Sequence, residues 1–137
     1  MDRDKLMKIS NKYLGFTLIE LLVVLAIIGL LSTLALISLN SARQKSRDVK
    51  RVSDVRQIQT ALDLYYSDNN SYPASVTSGG SIGTYMTLVP SDPLGPVYTY
   101  TQQTSGASYT LQYKLEGTTG GLAAGAHTAT PGGIANP

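Results

Sequence analysis

One charged residue, Glu20, interrupts an apolar run of 24 residues that extends from Phe16 to Leu39. A carboxylate deep inside a membrane costs about 2.5 to 3.5 kcal/mol, so it needs a cationic partner. The first basic residue after Phe16 is Arg43, which lies beyond the reach of Glu20 along a helix. Cleavage between Gly15 and Phe16 would create a new α-amine four residues before Glu20. Two partners for Glu20 are therefore open: a basic residue of the leader in the uncut precursor, or the new α-amine of a neighbouring subunit in the cut chain.

The apolar run is long enough to cross a membrane. As a helix it would measure about 36 Å, whereas the hydrocarbon core of a bilayer is about 30 Å thick. The basic residues before the run would stay in the cytoplasm and leave the C-terminal part outside. In a secretory signal peptide a small residue follows the apolar run, whereas here Gly15 precedes it. On topology alone, an unprocessed single-span anchor remains an alternative.

The sequence shows no set of residues typical of catalysis. His127 is the only histidine, and we expect it to be solvated in a glycine-rich segment without a fixed partner. The absence of cysteine excludes disulfides and thiolate metal sites. We therefore predict a protein that is not an enzyme and has no cofactor.

The junction resembles the class III signal of type IV pilins and type II secretion pseudopilins. The resemblance rests on residues 15–24, which read GFTLIELLVV, on the basic leader and on the long apolar run. It implies that a prepilin peptidase cuts after Gly15 and methylates Phe16, and that Glu20 is the family's assembly glutamate. It also implies a helical homo-oligomer, built by an assembly platform in the inner membrane. One frequent family feature is missing, because the second half of the run contains no proline.

The composition divides the chain into five parts. A leader (1–15) precedes the apolar helix (16–39), which continues as an amphipathic helix (40–68), a small head (69–116) and a glycine-rich tail (117–137). We predict an α+β fold in which one long N-terminal helix packs against a small antiparallel β-sheet. The tail has few large apolar residues, so we expect it to be mobile or loosely packed.

An apolar stripe predicts which face of the helix, expected from about Phe16 to Ser67, lies under the head. We expect charged residues to occupy the opposite, solvated face; lipid-headgroup or DNA contact is the functional alternative for its basic cluster. The stripe recurs at spacings of three and four and consists of Val49, Val52, Val55, Ile58, Leu62 and Tyr65. The basic cluster consists of Arg43, Lys45, Arg47, Lys50 and Arg51.

Two segments of the head are typical of β-strands. Val97 to Thr101 is a short β-prone run, and the residues from Ser108 to Glu116 alternate between apolar and polar types. The segment between them, Gln102 to Ala107, is suited to a hairpin loop. The alternation predicts a half-buried strand whose inward side chains are Tyr109, Leu111, Tyr113 and Leu115.

The head also resembles the major type of pseudopilin. Tyr72-Pro73, a turn around Asp92 with the pattern P-x-D-P-x-G (residues 90–95), and Tyr98-x-Tyr100 occur in that order. In that group the C-terminal loop often binds calcium through carboxylates and backbone carbonyls. Calcium takes about six to eight oxygen ligands, yet Glu116 is the only carboxylate after Asp92. The donor set therefore does not favour calcium, and we expect Asp92 to cap the turn.

The positive charge of the chain is concentrated in the leader. The whole chain carries a net charge of +2, but from Phe16 onward seven basic residues face seven acidic ones. A chain cut after Gly15 would therefore be close to neutral, which gives no support to DNA binding.

Three hypotheses for the function follow. The first is a subunit of an extracellular type IV pilus that serves adhesion, motility or DNA uptake. The second is a subunit similar to the major pseudopilin of a type II secretion system, in a short periplasmic pseudopilus. The third, from another class, is a binding module on an unprocessed single-span anchor.

Overall fold

The computed structural model describes residues 15–95 and 98–135. The predicted leader therefore lies outside the described residues, except for Gly15. By internal contacts the chain divides into two units, of which one ends at Ser38 and the other begins at Leu39.

A single helix, α1, extends over Leu18–Asn69, close to the predicted bounds. Thr17 and Glu20 cap its N-terminus through hydrogen bonds that are detailed below. At its C-terminus Asn70 adopts a left-handed conformation (φ 51°), and its N–H donates to the carbonyl of Tyr66 over 2.8 Å. Asparagine tolerates this conformation better than most residues, which makes it a suitable residue to end a helix.

The first unit contains the apolar part of α1. Every residue from 15 to 38 is exposed, including the large side chains Phe16, Ile19 and Leu31. By length and composition alone, α1 could cross a membrane. This observation agrees with the predicted apolar helix.

The second unit contains a four-stranded antiparallel sheet with the strand order β1-β2-β3-β4. The strands are β1 (Thr99–Gln103), β2 (Ser108–Leu115), β3 (Gly125–Thr130) and β4 (Gly133–Ala135). The first two strands lie within two residues of their predicted bounds, and a short 3-10 turn (Thr104–Gly106) joins them. Val97, where the first strand was predicted to start, lies outside the described residues.

The prediction of a loosely packed C-terminal tail is wrong. Strand β3 pairs with β2 from Leu111↔Ala129 to Leu115↔Gly125, and β4 pairs with β3 in turn. Backbone hydrogen bonds to β2 order this segment although it has few large side chains, because the N–H and C=O groups of the backbone form the ladder.

The core of the second unit lies between α1 and the sheet, as the α+β prediction required. The alternation in β2 is confirmed, since Tyr109, Leu111, Tyr113 and Leu115 are all buried. The helix contributes Val52, Val55, Ile58, Ala61 and Leu62. The predicted stripe is wrong at Val49, which is 52% exposed rather than buried in the core.

Candidate assembly site and the head that supports it

Glu20 takes part in a capping box at the start of α1. Its Oε2 accepts hydrogen bonds from the backbone N–H of Thr17 at 2.8 Å and from the Thr17 hydroxyl at 2.7 Å. In return, the Glu20 N–H donates to Oγ1 of Thr17 at 3.3 Å. This reciprocal arrangement satisfies backbone donors that the first turn of a helix leaves unpaired. The sequence predicted the charge of Glu20 but not this local role, which the spacing Thr-x-x-Glu indicates.

The second carboxylate oxygen of Glu20 remains free for another partner. Within the described part of the chain no hydrogen bond reaches Oε1, and no basic side chain pairs with Glu20. Phe16, Ile19, Val23 and Val24 form a shallow apolar groove around the carboxylate. The first unit thus presents one carboxylate, fixed in place by the helix start, on an exposed apolar surface. The predicted cut and methylation concern Gly15 and Phe16, whose backbone begins the described chain.

The second unit is held together by an ion-pair network centred on Arg51. Its Nε and Nη2 donate to both oxygens of Asp92 at 2.6 and 3.0 Å. Its Nη1 donates to Asp48 at 2.8 Å and to Glu116 at 2.6 Å. Only 4% of Arg51 is exposed, so the expectation of a solvated basic face is wrong for this residue.

Arg47 and Asp48 extend the network to the end of β2. Arg47 donates through two nitrogens to the two oxygens of Glu116. Asp48 is fully buried, and its oxygens accept the backbone N–H groups of Glu116 at 3.0 Å and Gly117 at 2.7 Å. The network therefore fastens the helix both to the turn around Asp92 and to the residues that follow β2.

The ion pairs shift the proton equilibria of their members. Hydrogen bonds from Arg47 and Arg51 lower the pKa of Glu116 from 4.5 to about 2. The hydrogen bonds from Arg51 likewise lower the pKa of Asp92 below its usual value of 3.8. Bonding to Asp92, Glu116 and Asp48 raises the pKa of Arg51 further above its usual range. Glu116, Asp92 and Arg51 therefore remain charged at neutral pH.

Asp92 also performs the capping role predicted for it. Its Oδ1 accepts the backbone N–H of Leu94 at 2.9 Å, as in an Asx-turn. The bond between Asp92 and Arg51 could not be predicted from local sequence patterns, because the two residues are 41 positions apart.

The lysines and Arg43 of the basic cluster are exposed, and Lys50 among them makes an ion pair. Lys50 bonds Asp54 at 2.8 Å, and Asp54 also accepts the Tyr98 hydroxyl at 2.9 Å. Burial, followed by the bond to Asp54, raises the pKa of Tyr98. Arg43 and Lys45 are exposed, as expected of a solvated face.

His127 is buried rather than solvated, so the sequence expectation is wrong here too. Only 2% of it is exposed, and its ring stacks on that of Tyr113 with centroids 5.4 Å apart. Its Nε2 lies 2.8 Å from the carbonyl of Ala123, and its Nδ1 lies 3.3 Å from that of Ala135. The ring therefore links the start of β3 to β4, which is a structural role.

The acidic residues of the second unit bind arginine rather than form a metal site. In residues 15–95 and 98–135, no group of three or more His, Cys, Asp or Glu side chains could hold a metal ion. The three carboxylates that do converge, those of Asp48, Asp92 and Glu116, surround the guanidinium of Arg51.

Two family models match the chain. "Prokaryotic N-terminal methylation motif" matches residues 10–36, which include Gly15, Phe16 and Glu20. "Type II secretion system (T2SS), protein G" matches residues 38–127, which include the helix face, the charge network, β1, β2 and the first half of β3.

Similar curated proteins carry the name type II secretion system core protein G. The one from Vibrio cholerae is 34% identical over 108 residues, which cover 69% of this chain and 74% of the relative. The one from Pectobacterium carotovorum is 33% identical over 101 residues, 74% of this chain and 65% of the relative. The one from Escherichia coli K12 is 41% identical over 69 residues, 50% of this chain, and the match spans about half of that relative (48%). A search of solved structures gave no significant match.

These names agree with the second of the three hypotheses. None of them refers to an extracellular pilus, adhesion or DNA uptake, so the first hypothesis gains no support. Because the protein G model matches well over half of the chain, and the methylation motif covers its N-terminal part, this chain belongs to the type II secretion system protein G family.

Proposed function

We propose that this chain is the structural subunit of a secretion pseudopilus. A precursor lies in the inner membrane with its C-terminal part outside, and a prepilin peptidase cuts it after Gly15 and methylates Phe16. The mature subunits then assemble, with the help of a membrane platform, into a helical homo-oligomer in the periplasm. The subunit works by polymerising rather than by catalysing a reaction.

One observation carries this proposal: an exposed apolar helix displays a single carboxylate near its first residue. Phe16 is 87% exposed, and large apolar side chains stay exposed along α1 as far as Leu39. Each would gain roughly 1.5 to 3 kcal/mol from complete burial. Such a surface requires either lipid or the same surface of neighbouring subunits, and a subunit extracted from the membrane has only the second option.

Glu20 would set the register between neighbouring subunits. Its Oε2 is occupied by Thr17, which leaves Oε1 for the α-amine of Phe16 in a neighbour. A single methyl group leaves that amine protonated, so methylation preserves the ion pair. In apolar surroundings an unpaired charge costs several kcal/mol, so registers that separate the two charges are disfavoured.

The test uses a strain that lacks the gene and secretes a measurable protein into the medium. We expect the wild-type chain to restore secretion and both Glu20→Ala and Glu20→Gln to fail, although both variants should still be inserted and cut. Glutamine retains an oxygen that can accept the Thr17 hydrogen bonds but lacks the charge. Glu20→Gln therefore separates helix capping from ion pairing. Asp68→Asn removes an exposed carboxylate at the other end of α1 and leaves an oxygen that can accept the Tyr85 hydroxyl. It serves as the matched control and should secrete normally.

Two results would contradict the proposal. If Glu20→Gln secreted as well as the wild type, the ion pair would not be what sets the register. If deletion of the gene removed surface fibres and left secretion intact, the chain would serve a pilus instead.

A further inference from the structure

The resemblance implies calcium at a C-terminal loop, and in the second unit the loop 117–124 joins β2 to β3. The loop itself contains no carboxylate. Two carboxylates, those of Asp48 and Glu116, lie near the start of the loop. Asp48 already accepts hydrogen bonds from Arg51 and from the backbone N–H groups of Glu116 and Gly117, and Glu116 accepts one from Arg51. Calcium needs about six to eight oxygens with several negative charges, and the loop does not offer them. The residues present do not fit the ion.

Contacts within the protein hold the loop at three points instead. At its start, Asp48 accepts the N–H of Gly117 at 2.7 Å. In its middle, Thr119 and Leu122 exchange two backbone hydrogen bonds of 3.0 Å each. At its end, Nε2 of His127 lies 2.8 Å from the carbonyl of Ala123. These contacts bind backbone groups that a metal ion or water would otherwise have to satisfy.

Arg51 supplies the positive charge that the carboxylates require. Its guanidinium bonds Asp48, Asp92 and Glu116 at 2.6 to 3.0 Å, and Arg47 adds a second cation at Glu116. A divalent ion at this cluster would have to displace a buried guanidinium or share its oxygens with it. Both alternatives are costly, because the first leaves a buried charge unpaired and the second brings like charges together.

We infer that the head holds its C-terminal strands without a divalent cation: Arg51 is the cation that the carboxylates share, and Asp48 fastens the loop 117–124. This inference goes beyond the proposed function. It concerns the fold of the second unit, and it holds whether or not the chain assembles.

The first test is thermal unfolding of the full chain in detergent micelles, followed by the near-ultraviolet signal of its tyrosines. One sample contains millimolar calcium chloride and the other contains EGTA. We expect the same unfolding midpoint in both. A midpoint that rises with calcium would overturn the inference.

The second test is amide hydrogen exchange in Asp48→Asn, again with calcium or EGTA. Asparagine replaces one acceptor oxygen by an NH₂ group, so it cannot serve Arg51, Glu116 and Gly117 together. Oδ1 of Asp48 serves Arg51 and Glu116 and Oδ2 serves Gly117, so we expect at least one of the Glu116 and Gly117 amides to exchange about tenfold faster or more, in both solutions. Asp68→Asn is the control and should exchange like the wild type.

Exchange as slow as in the wild type would show that Asp48 does not fasten the loop. Recovery of slow exchange on addition of calcium would show that an ion can hold the loop, and it would likewise overturn the inference. If Asp48→Asn fails to fold, the calcium response of the wild type decides alone.

Discussion

Arg51 makes ion pairs with three carboxylates, two of which come from distant parts of the chain. Asp48 is on the same helix, whereas Asp92 and Glu116 are 41 and 65 residues away. Buried pairs of this kind add little net stability, but removal of one partner is costly because the remaining charge stays buried. The network therefore acts mainly to prevent other arrangements of the helix, the turn and the end of β2.

The depressed pKa values of Asp92 and Glu116 predict loss of stability in acid. A carboxylate with a pKa lowered by folding contributes its full stability above its unfolded pKa, and this contribution disappears as the pH falls through the folded pKa. For Glu116 the window extends from 4.5 down to about 2. We expect the free energy of unfolding of the head to decrease across this window, as measured by urea titration at several pH values.

The variant Asp92→Asn, compared with the wild type at several pH values, tests the contribution of the Asp92 carboxylate to stability. At pH 7 we expect it to lower the free energy of unfolding by about 2 kcal/mol, since it weakens two hydrogen bonds to a charged group. The difference from the wild type should shrink as the pH falls below 3.8, the usual pKa of Asp92, because the carboxyl becomes neutral first in the unfolded chain and, at lower pH, in the folded one. Parallel curves for the two proteins would contradict this account.

Local patterns explain which residues could be predicted. The alternation in β2 identifies its buried side chains, because neighbours on a strand point to opposite faces. The burial of Arg51 could not be predicted in this way, since it depends on Asp92 and Glu116 reaching the same point from other elements. The sequence does contain one indication that Arg51 is buried, because it lies on the same helix face as the apolar stripe. The spacing of three and four residues is shared by Asp48, Arg51, Val55, Ile58 and Leu62.

At the scale of elements, the β3–β4 hairpin was missed because its sequence is poor in large apolar residues. In β3 the buried residues are His127 and Ala129, which alternate but carry little hydrophobic signal. Glycines elsewhere in the segment are typical of loops as much as of tight strand connections. Strand β3 pairs with the edge of β2 that β1 leaves unpaired. The availability of that edge depends on the tertiary structure and cannot be derived from the local sequence of β3.

The turn between β1 and β2 gives a prediction about element geometry. Gly106 has a φ of +94°, and an added Cβ would collide with Oγ of Ser71. Its carbonyl also accepts the N–H of Tyr72 at 2.8 Å, which ties the turn to the segment after α1. We expect Gly106→Ala to lower the free energy of unfolding by about 2 to 3 kcal/mol, from backbone strain and overpacking together.

Gly79→Ala is the matched control for this substitution. Gly79 also has a positive φ of +75°, but nothing lies within 4 Å of an added Cβ. It should therefore show the backbone strain alone, about 1 kcal/mol. Equal losses in the two variants, measured by denaturant unfolding, would mean that the contact with Ser71 is unimportant.

At the level of the whole molecule, the second unit has its own buried core, whereas the apolar surface of the first unit needs lipid or other subunits to cover it. Residues from 39 onward bury their own core and most of their buried charges find partners within the unit. The apolar residues before 39 bury nothing by themselves. The sequence predicted this division well, because a long apolar run is a strong signal that needs no tertiary information. The partner of Glu20 could be proposed only by assuming a cut that the sequence motif implies.

Intact-mass measurement of the protein extracted from cell membranes tests the cut after Gly15, on which the proposed pairing of Glu20 depends. We expect a chain that begins at Phe16 and is heavier by one methyl group than residues 16–137 alone. The same mass should be absent from cells that lack the prepilin peptidase. A chain that still begins at Met1 in cells with an active peptidase would contradict the account, because Glu20 would then have no α-amine to meet.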